Sequence, residues 1–172
     1  MPRKRICLIS TGGTIEKTYD ELEGILSNRV SVLDVMLAGL NLDNLEVARV
    51  PLMNLDSREM SDKEHSLIAR TAGTMTETFD GVLVVHGTDT LSITGERMVE
   101  LLGTPRVPIV LTGAMRPYEL RTSDATQNLT EALLSVQLLE PGIWVVMHST
   151  ALRFPGIVKD YELGMFVRRP DG

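Results

Sequence analysis

Five continuous apolar runs of strand length constrain the fold of this chain more than any other feature. They lie at Ile6 to Ser10, Leu45 to Val50, Val82 to Val85, Pro108 to Leu111 and Ile143 to Met147, and a further short strand is predicted near Met165 to Arg168. Runs that are apolar throughout are typical of parallel strands that helices cover on both faces. The sequence therefore predicts a three-layer α/β/α fold with a mostly parallel central sheet.

Four helices are predicted between these strands. The first presents one apolar face, at Leu33, Met36, Leu37 and Leu40. The second opens on a capping box of Ser61 and Glu64 and runs toward Phe79, and the third covers about Leu91 to Leu102 and closes at Gly103. The fourth starts near Asp124 and Gln127, stops at Pro141-Gly142, and buries Leu129, Ala132, Leu133 and Val136.

Size and charge limit the possible partners. A chain of 172 residues and 19.0 kDa without linkers or repeats is expected to form a single domain over residues 1–172. The net charge of −6 argues against nucleic acid or an anionic membrane as a partner. The apolar run Ile6 to Ile9 is too short for a signal segment or a membrane span, so the mature chain is expected to start where the sequence starts.

Cysteine and histidine usage predicts neither a disulfide framework nor a metal site. Cys7 is the single cysteine, and His65, His86 and His148 are dispersed without the spacing of zinc ligands. A reducing cytoplasm fits this composition best. We expect Cys7 to be an inert apolar residue inside the first strand.

Polar loops follow the first four apolar runs. In an open parallel sheet, ligands bind beyond the carboxyl ends of the strands, so these loops are expected to meet at one edge. Their sequences are Thr11-Gly12-Gly13-Thr14-Ile15, Asn54-Leu55-Asp56-Ser57, His86-Gly87-Thr88-Asp89-Thr90 and Thr112-Gly113-Ala114-Met115-Arg116-Pro117.

Each loop has a functional and a structural interpretation. Gly12 and Gly13 allow backbone amides to approach a ligand between Thr11 and Thr14, or they simply form a tight turn. Thr88 and Asp89 place a hydroxyl and a carboxylate at a strand end, where a lysine would complete a proton relay, but Asp89 could instead cap the following helix.

Three further polar positions have mainly structural interpretations. His86 is expected to support its loop through hydrogen bonds, and Arg116 to fix its own loop through its planar donors. The segment from His148 to Thr150 could line a site or cap a strand. The absence of a glycine-rich phosphate loop lowers the expectation of a nucleotide cofactor, and no cofactor is predicted.

The loops at Thr11 to Ile15, His86 to Thr90 and Gly113 to Pro117, taken with a later Lys159 and with Thr150 before it, resemble the bacterial-type L-asparaginases of the asparaginase and glutaminase family. The resemblance covers nearly the whole chain but only the amino-terminal domain of the usual two-domain enzyme. It implies a flavodoxin-like asparaginase N-terminal domain, in a short single-domain form. The resemblance therefore implies that the carboxyl-terminal domain, which in the family contributes residues to a neighbour's site, is absent.

The resemblance also implies a reaction, in which L-asparagine and water give L-aspartate and ammonia through a β-aspartyl acyl-enzyme. Thr14 matches the attacking residue, and Tyr19 is the tyrosine nearest to it that could take its proton. Thr88, Asp89 and Lys159 match the second relay, in which desolvation could make the lysine a proton acceptor. Either Thr14 or Thr88 could attack first.

The substrate-binding residues that the resemblance implies surround the same loops. Asp89 would pair with the α-ammonium of asparagine, while Ser57 and the amides beside Asp56 would hold its α-carboxylate. Gly13, Gly87, Thr88 and Ala114 complete the implied set. Arg58 departs from the family, which commonly carries a neutral glutamine or another small polar residue there, and is expected to turn outward or to pair with Glu59.

Two other function classes remain open at this stage. A non-catalytic module derived from an asparaginase domain could bind an amino acid without turnover, although two hydroxyls and a lysine relay exceed what a binder needs. A phosphate or nucleotide receiver would require a phosphate loop or an acidic metal cluster. The enzyme interpretation implies a small-molecule substrate, and the missing domain favours a homo-oligomer.

Overall fold

The computed structural model describes residues 2–27 and 32–169 and contains ten strands and four α-helices in those ranges. The ends of the predicted single domain, residues 1 and 170–172, lie outside the described residues. The strands are β1 Lys4–Gly12, β2 Thr18–Asp20, β3 Ile25–Ser27, β4 Leu45–Leu55, β5 Gly81–Val85, β6 Ile109–Thr112, β7 Ile143–Met147, β8 Thr150–Arg153, β9 Ile157–Asp160 and β10 Met165–Arg168. The helices are α1 Leu33–Ala38, α2 Asp62–Met75, α3 Leu91–Leu102 and α4 Ala125–Leu138.

A six-stranded sheet in the order β4-β1-β5-β6-β7-β8 forms the centre of the molecule. Its first five strands are parallel, and β8 adds to the edge in the antiparallel direction. Counted along the chain, the parallel strands have the order 2-1-3-4-5, which is a doubly wound arrangement. Two antiparallel hairpins, β2 with β3 and β9 with β10, lie outside this sheet.

Helices cover both faces of the central sheet, and alternate residues of β1 show how. Cys7 and Ile9 belong to the core that α2 and α3 close, whereas Ile6 and Leu8 belong to the core that α1 and α4 close. All four side chains are fully buried. This arrangement confirms the predicted three-layer α/β/α fold.

Local signals account for the helix ends. Ser61 and Glu64 form the predicted capping box, in which the Ser61 backbone N–H donates to the Glu64 carboxylate at 2.8 Å. Gly103 ends α3 with φ of 61°, as predicted. Asp124 precedes α4, but its side chain does not cap that helix, because its carboxylate accepts the backbone N–H groups of Met115 and Arg116 instead.

Several boundaries differ from the predicted ones. The four strands β2, β3, β8 and β9 were not predicted, and β4 continues to Leu55 instead of ending at Val50. Helix α2 ends at Met75, before Phe79, and α1 ends at Ala38. Within the described ranges, no helix has the length and apolarity needed to cross a membrane.

Candidate active site

The polar loops converge where the strand order reverses. Strand β1 lies between β4 and β5, and the three strands run in the same direction, so their carboxyl ends lie side by side. The pairing of Gly12 with Leu55 brings the end of β1 next to the turn that follows β4. A topological switch point of this kind is the usual ligand crevice of a doubly wound sheet.

Close backbone approach at two glycines packs these loops against one another. Gly13 has φ of 90°, and a Cβ atom placed on it would lie 2.6 Å from the backbone of Gly87. A Cβ atom on Gly87 would lie 2.6 Å from Oγ of Ser57. Only glycine allows both contacts, so the loops after β1, β4 and β5 form one compact wall.

A turn at residues 57–59 orders the loop after β4. The Asp56 carboxylate accepts the backbone N–H of Arg58 at 3.0 Å and thereby caps this turn. Ser57 is buried, and the Thr90 hydroxyl donates to its carbonyl at 2.9 Å. The turn at Asp56 is therefore fixed to the loop that carries Thr88 and Asp89.

Buried histidines hold the loop after β5, in the supporting role predicted for His86. Nδ1 of His86 lies 2.7 Å from the carbonyl of Gly87, and its Nε2 lies 2.7 Å from the hydroxyl of Thr94. The same hydroxyl lies 2.7 Å from Nδ1 of His65. Burial lowers the pKa of His86 to about 4, so this imidazole is neutral at pH 7.

Lys159 reaches the loop after β5 from the hairpin of β9 and β10. Its Nζ donates to Oγ1 of Thr88 at 2.9 Å and to the Asp89 carboxylate at 2.7 Å, and its side chain is 12% exposed. Asp89 does not cap α3, since the residue at the cap position is Thr90. A hydroxyl, an amine and a carboxylate that are hydrogen-bonded in this order can pass a proton from one to the next.

The three loops enclose a cavity of about 140 Å³, which suits a molecule the size of an amino acid. Seven of the residues predicted for the site line it: Gly13, Thr14, Asp56, Ser57, Gly87, Thr88 and Asp89. Lys159 touches this wall through Thr88 and Asp89. The structure therefore brings together both threonines, the carboxylate and the lysine of the predicted relay.

Two cationic side chains complete the lining, and one of them, Lys17, was missed by the sequence analysis. Its Nζ lies 3.5 Å from the Asp56 carboxylate. The only sequence signal for Lys17 was its position. It lies three residues after Thr14, in a loop that was expected to lie near carboxylates. Without knowledge of the chain path, that signal did not distinguish it from a surface lysine.

Arg58 does not behave as expected from the sequence. Instead of turning outward or pairing with Glu59, it donates from Nε and Nη2 to the Asp56 carboxylate at 3.1 and 2.9 Å. Its Nε also lies 3.7 Å from the second oxygen of Asp89. The hydrogen bond from the Arg58 side chain holds the pKa of the Asp56 carboxyl well below its usual range.

Three residues predicted near the substrate do not line this cavity. Tyr19 lies in β2, 57% exposed, and lines a separate groove, with its backbone N–H bound to Glu119 at 2.7 Å. Ala114 is buried in the core beneath the sheet. Thr11 turns its hydroxyl inward, to the carbonyl of Val85 at 2.9 Å.

A second polar network supports the loop after β6. Burial alone would raise the pKa of Asp124, but the hydrogen bonds from Met115, His148 and Arg116 outweigh it and leave this pKa below its usual value. The Arg116 guanidinium donates to the Thr122 carbonyl at 3.0 Å, which is the loop-fixing role predicted for it.

His148 has a structural position, with its Nε2 2.6 Å from Asp124 and its φ at 52°. Burial raises the pKa of the Cys7 thiol to about 11, in keeping with an inert apolar residue. Over residues 2–27 and 32–169, no group of three or more His, Cys, Asp or Glu side chains could hold a metal ion.

Comparison with known proteins places this geometry in a family. The family profile described as "Asparaginase, N-terminal" matches residues 5–160. An L-asparaginase of Thermococcus kodakarensis is 30% identical over 94% of the chain, which covers 49% of that relative. A subunit of the glutamyl-tRNA(Gln) amidotransferase of Methanobrevibacter smithii is 32% identical over 86% of the chain, which covers 34% of that relative. The chain therefore spans half or less of the length of these relatives.

Solved structures show the same likeness. The thermostable L-asparaginase from Thermococcus kodakarensis superposes with a TM-score of 0.86 and 29% identity, over 95% of this chain and 51% of that one. A probable cytoplasmic L-asparaginase from Campylobacter jejuni gives a TM-score of 0.75 and 29% identity, over 91% and 48% of the two chains. On the profile match and these relatives, the chain belongs to the asparaginase family and corresponds to its N-terminal domain.

Proposed function

We propose that this chain hydrolyses the side-chain amide of a small amino-acid-sized substrate, with L-asparagine giving L-aspartate and ammonia through a threonine acyl-enzyme. One observation carries the proposal: Nζ of Lys159 lies within hydrogen-bond reach of both Thr88 and Asp89, on the cavity that Thr14 also lines. Family membership supports the reaction class.

The reaction needs a nucleophile and a path for its proton. In the proposed first step, a threonine Oγ attacks the carboxamide carbon, the C–N bond breaks, and ammonia leaves with the transferred proton. Water then attacks the ester, returns a proton to the threonine and releases the acid. Thr14 and Thr88 are both proposed as nucleophile candidates, and a deprotonated Lys159 would accept the proton from Thr88 or from the water.

Backbone groups would stabilise the tetrahedral intermediates. The glycine-permitted contact between the Gly13 and Gly87 loops places backbone atoms of both glycines at the cavity wall beside both threonines, and their amides are the proposed donors. Fixed donors of this kind contribute roughly 3–4 kcal/mol each to oxyanion stabilisation. We propose that Ser57 and the amides beside Asp56 hold the substrate carboxylate. Tyr19 and Ala114 stay outside this proposal, since neither lines the cavity in this structure.

Ammonia release by the purified chain tests the proposal. Asparagine is incubated with the wild type, Thr14→Ala, Thr88→Ala and Lys159→Met, with Thr126→Ala and Lys63→Met as exposed controls of the same chemistry. We expect each site variant to lose turnover by about 10³-fold or more and the controls to retain it. Lys159→Met should still bind substrate.

Two results would count against the enzyme, namely unchanged turnover in the Thr14 and Thr88 variants and no release by the wild type. We expect both variants to keep the wild-type circular dichroism, and its collapse would give these threonines a structural role. Unchanged turnover in Lys159→Met would remove this residue from the relay. Mass spectrometry after reaction with an electrophilic asparagine analogue identifies which threonine forms the acyl bond.

A second candidate function is suggested by the amidotransferase subunits among the relatives. A subunit of that kind works with partner chains, and 86% of this chain matches the one from Methanobrevibacter smithii. Ammonia release only in the presence of a partner would favour this candidate over a self-sufficient hydrolase.

We also propose a cytoplasmic location and self-association. The single buried cysteine and the relative described as a probable cytoplasmic L-asparaginase support the location. Fractionation of the source cells would test it.

A further inference from the structure

The charged side chains around the cavity are unusual for a site that is expected to bind a zwitterion. Two carboxylates, Asp56 and Asp89, face three cationic side chains, Lys17, Arg58 and Lys159. When Lys159 is neutral, as its proposed role as proton acceptor requires, Lys17 and Arg58 still match the two carboxylates, so each carboxylate already has a cation beside it.

Both oxygens of Asp89 already face a cation. Oδ1 accepts from Lys159 at 2.7 Å, and Oδ2 lies 3.7 Å from Nε of Arg58. Asp89 is the residue that would have to bind the α-ammonium of asparagine. An incoming ammonium would have to displace Arg58 or lie beside its guanidinium, and like charges at that distance repel.

Asp56 cannot take over the ammonium, because it is equally occupied. One oxygen accepts Nε and the backbone N–H of Arg58, and the other accepts Nη2 at 2.9 Å and lies 3.5 Å from Lys17. The two side-chain contacts form a planar, two-point pair that orients the guanidinium between the two carboxylates. Arg58 is 68% exposed on its side chain, yet these contacts keep it on the cavity wall.

The same charged side chains favour binding of an anion in the cavity. Lys17 and Arg58 line the cavity next to the buried Ser57, and a carboxylate placed there would meet cations instead of replacing one. A substrate with a carboxylate and a carboxamide, but without an ammonium group, can place its negative charge beside Lys17 and Arg58 and brings no further cation next to Arg58.

We propose that Arg58 is a specificity-determining residue that selects ω-amides of dicarboxylic acids lacking an α-ammonium group, of which succinamate is the simplest of asparagine's length. This inference rests on the proposed amide hydrolysis. Water supplies hydroxyl to the acyl carbon and a proton to the leaving nitrogen, so succinamate gives succinate and ammonia, and no other reactant is needed.

The test compares two amides and, separately, two acids. Ammonia release from succinamate and from L-asparagine is measured for the wild type, Arg58→Gln and Arg58→Lys, with Arg106→Gln as an exposed control that pairs with Glu77 away from the cavity. We expect the wild type to prefer succinamate by about tenfold in kcat/KM, and Arg58→Gln to lose or reverse that preference. Arg58→Lys and Arg106→Gln should retain it.

Binding of the two product acids, followed by calorimetry, separates this inference from the proposed reaction. The wild type should bind succinate about tenfold more tightly than L-aspartate, and Arg58→Gln should bind the two about equally. If this binding pattern holds without turnover of either amide, the hydrolase proposal fails and the role of Arg58 stands. Equal or tighter binding of L-aspartate by the wild type, or binding of neither acid, overturns the role of Arg58.

Discussion

At the residue scale, the hydrogen bonds of His86 fix its protonation state. The Gly87 carbonyl can only accept, so Nδ1 of His86 carries the proton and its Nε2 accepts from the Thr94 hydroxyl. The Thr94 oxygen can then accept from Nδ1 of His65. A second proton on His86 would oppose the hydroxyl proton of Thr94 and add a charge to a fully buried ring.

We therefore predict that stability falls as the pH drops from 6.5 toward 4. In that window the unfolded chain binds a proton at residue 86 that the folded chain does not, so the free energy of unfolding rises with pH. A shift from 6.5 to about 4 corresponds to about 3 kcal/mol at most. Urea unfolding between pH 7 and pH 5 measures this slope.

The variant His86→Asn keeps the donor to Gly87 and removes the titrating ring, so its slope should be flatter than that of the wild type. Burial also lowers the pKa of His65, and a remaining slope in the variant is assigned to that residue. Equal slopes in the two proteins would show that His86 does not control the acid response.

The site residues that could be predicted from the sequence are those in a recognisable chemical pattern. Residues that join the site only through the fold of the chain were not predicted. Thr88 and Asp89 lie in the loop that follows an apolar strand, separated from its end by two residues, and Lys159 was selected because it matched the family pattern. Arg58 and Asp56 lie two residues apart in one turn, and their pairing depends on the side-chain conformation. The contact of Lys17 with Asp56 depends instead on how the loops after β1 and β4 fold against each other. Local sequence carries no information about that approach, which is set by the Gly13 and Gly87 backbones.

At the element scale, strand burial decided what could be predicted. Strands β5 and β6 are buried at every residue, so their sequences are apolar runs that stand out. Strands β2, β8 and β9 are short and only partly buried, and their sequences carry no such run. Strand β9, which contains Lys159, was therefore not predicted, although Lys159 itself was identified.

Helix α3 positions the hairpin that carries Lys159. The ring of Phe154 packs against Gly95, where a Cβ atom would lie 2.3 Å from the ring. The Gly156 backbone N–H donates to the Glu96 carboxylate at 2.6 Å. These two contacts lie immediately before β9 and thus set how far Lys159 reaches toward Thr88.

We predict that Gly95→Ala lowers both stability and turnover. The added methyl group must displace a buried ring, which costs about 1–3 kcal/mol of stability. Alanine also stabilises a helix by about 1 kcal/mol relative to glycine, which offsets part of this cost. We expect a net loss of up to about 2 kcal/mol in urea unfolding and a larger relative loss in ammonia release, because β9 shifts with Phe154.

The matched control is Gly73→Ala in α2, whose added methyl group would meet the mobile end of Leu102 at 2.5 Å. It should cost less and leave turnover unchanged, since Leu102 can rotate away and α2 does not carry the hairpin. Wild-type stability and turnover in Gly95→Ala would contradict the positioning role of α3.

At the scale of the whole molecule, the doubly wound order explains why the site forms within a single sheet edge. Connections from β1 to β4 and from β4 to β5 leave the sheet on opposite sides, so their loops diverge and open a crevice between them. On the side of the sheet, the cavity is lined by Thr14, Ser57 and Thr88, of which Ser57 and Thr88 are buried. Toward solvent, Arg58 and Asp89 keep 68% and 34% of their side chains exposed.

That open side argues for assembly of the chain. Charge-stabilised acyl transfer is favoured when water is excluded from the reacting groups, and in one copy of this chain Asp89 of the relay keeps 34% of its side chain exposed. We therefore predict a homo-oligomer of at least two 19.0 kDa chains in which a second copy covers the cavity. Light scattering after size exclusion measures the mass, and ammonia release per chain is followed on dilution. Turnover should fall as the oligomer dissociates, because Asp89 loses its cover. A 19.0 kDa species with full turnover per chain would instead show that a single copy excludes water well enough on its own.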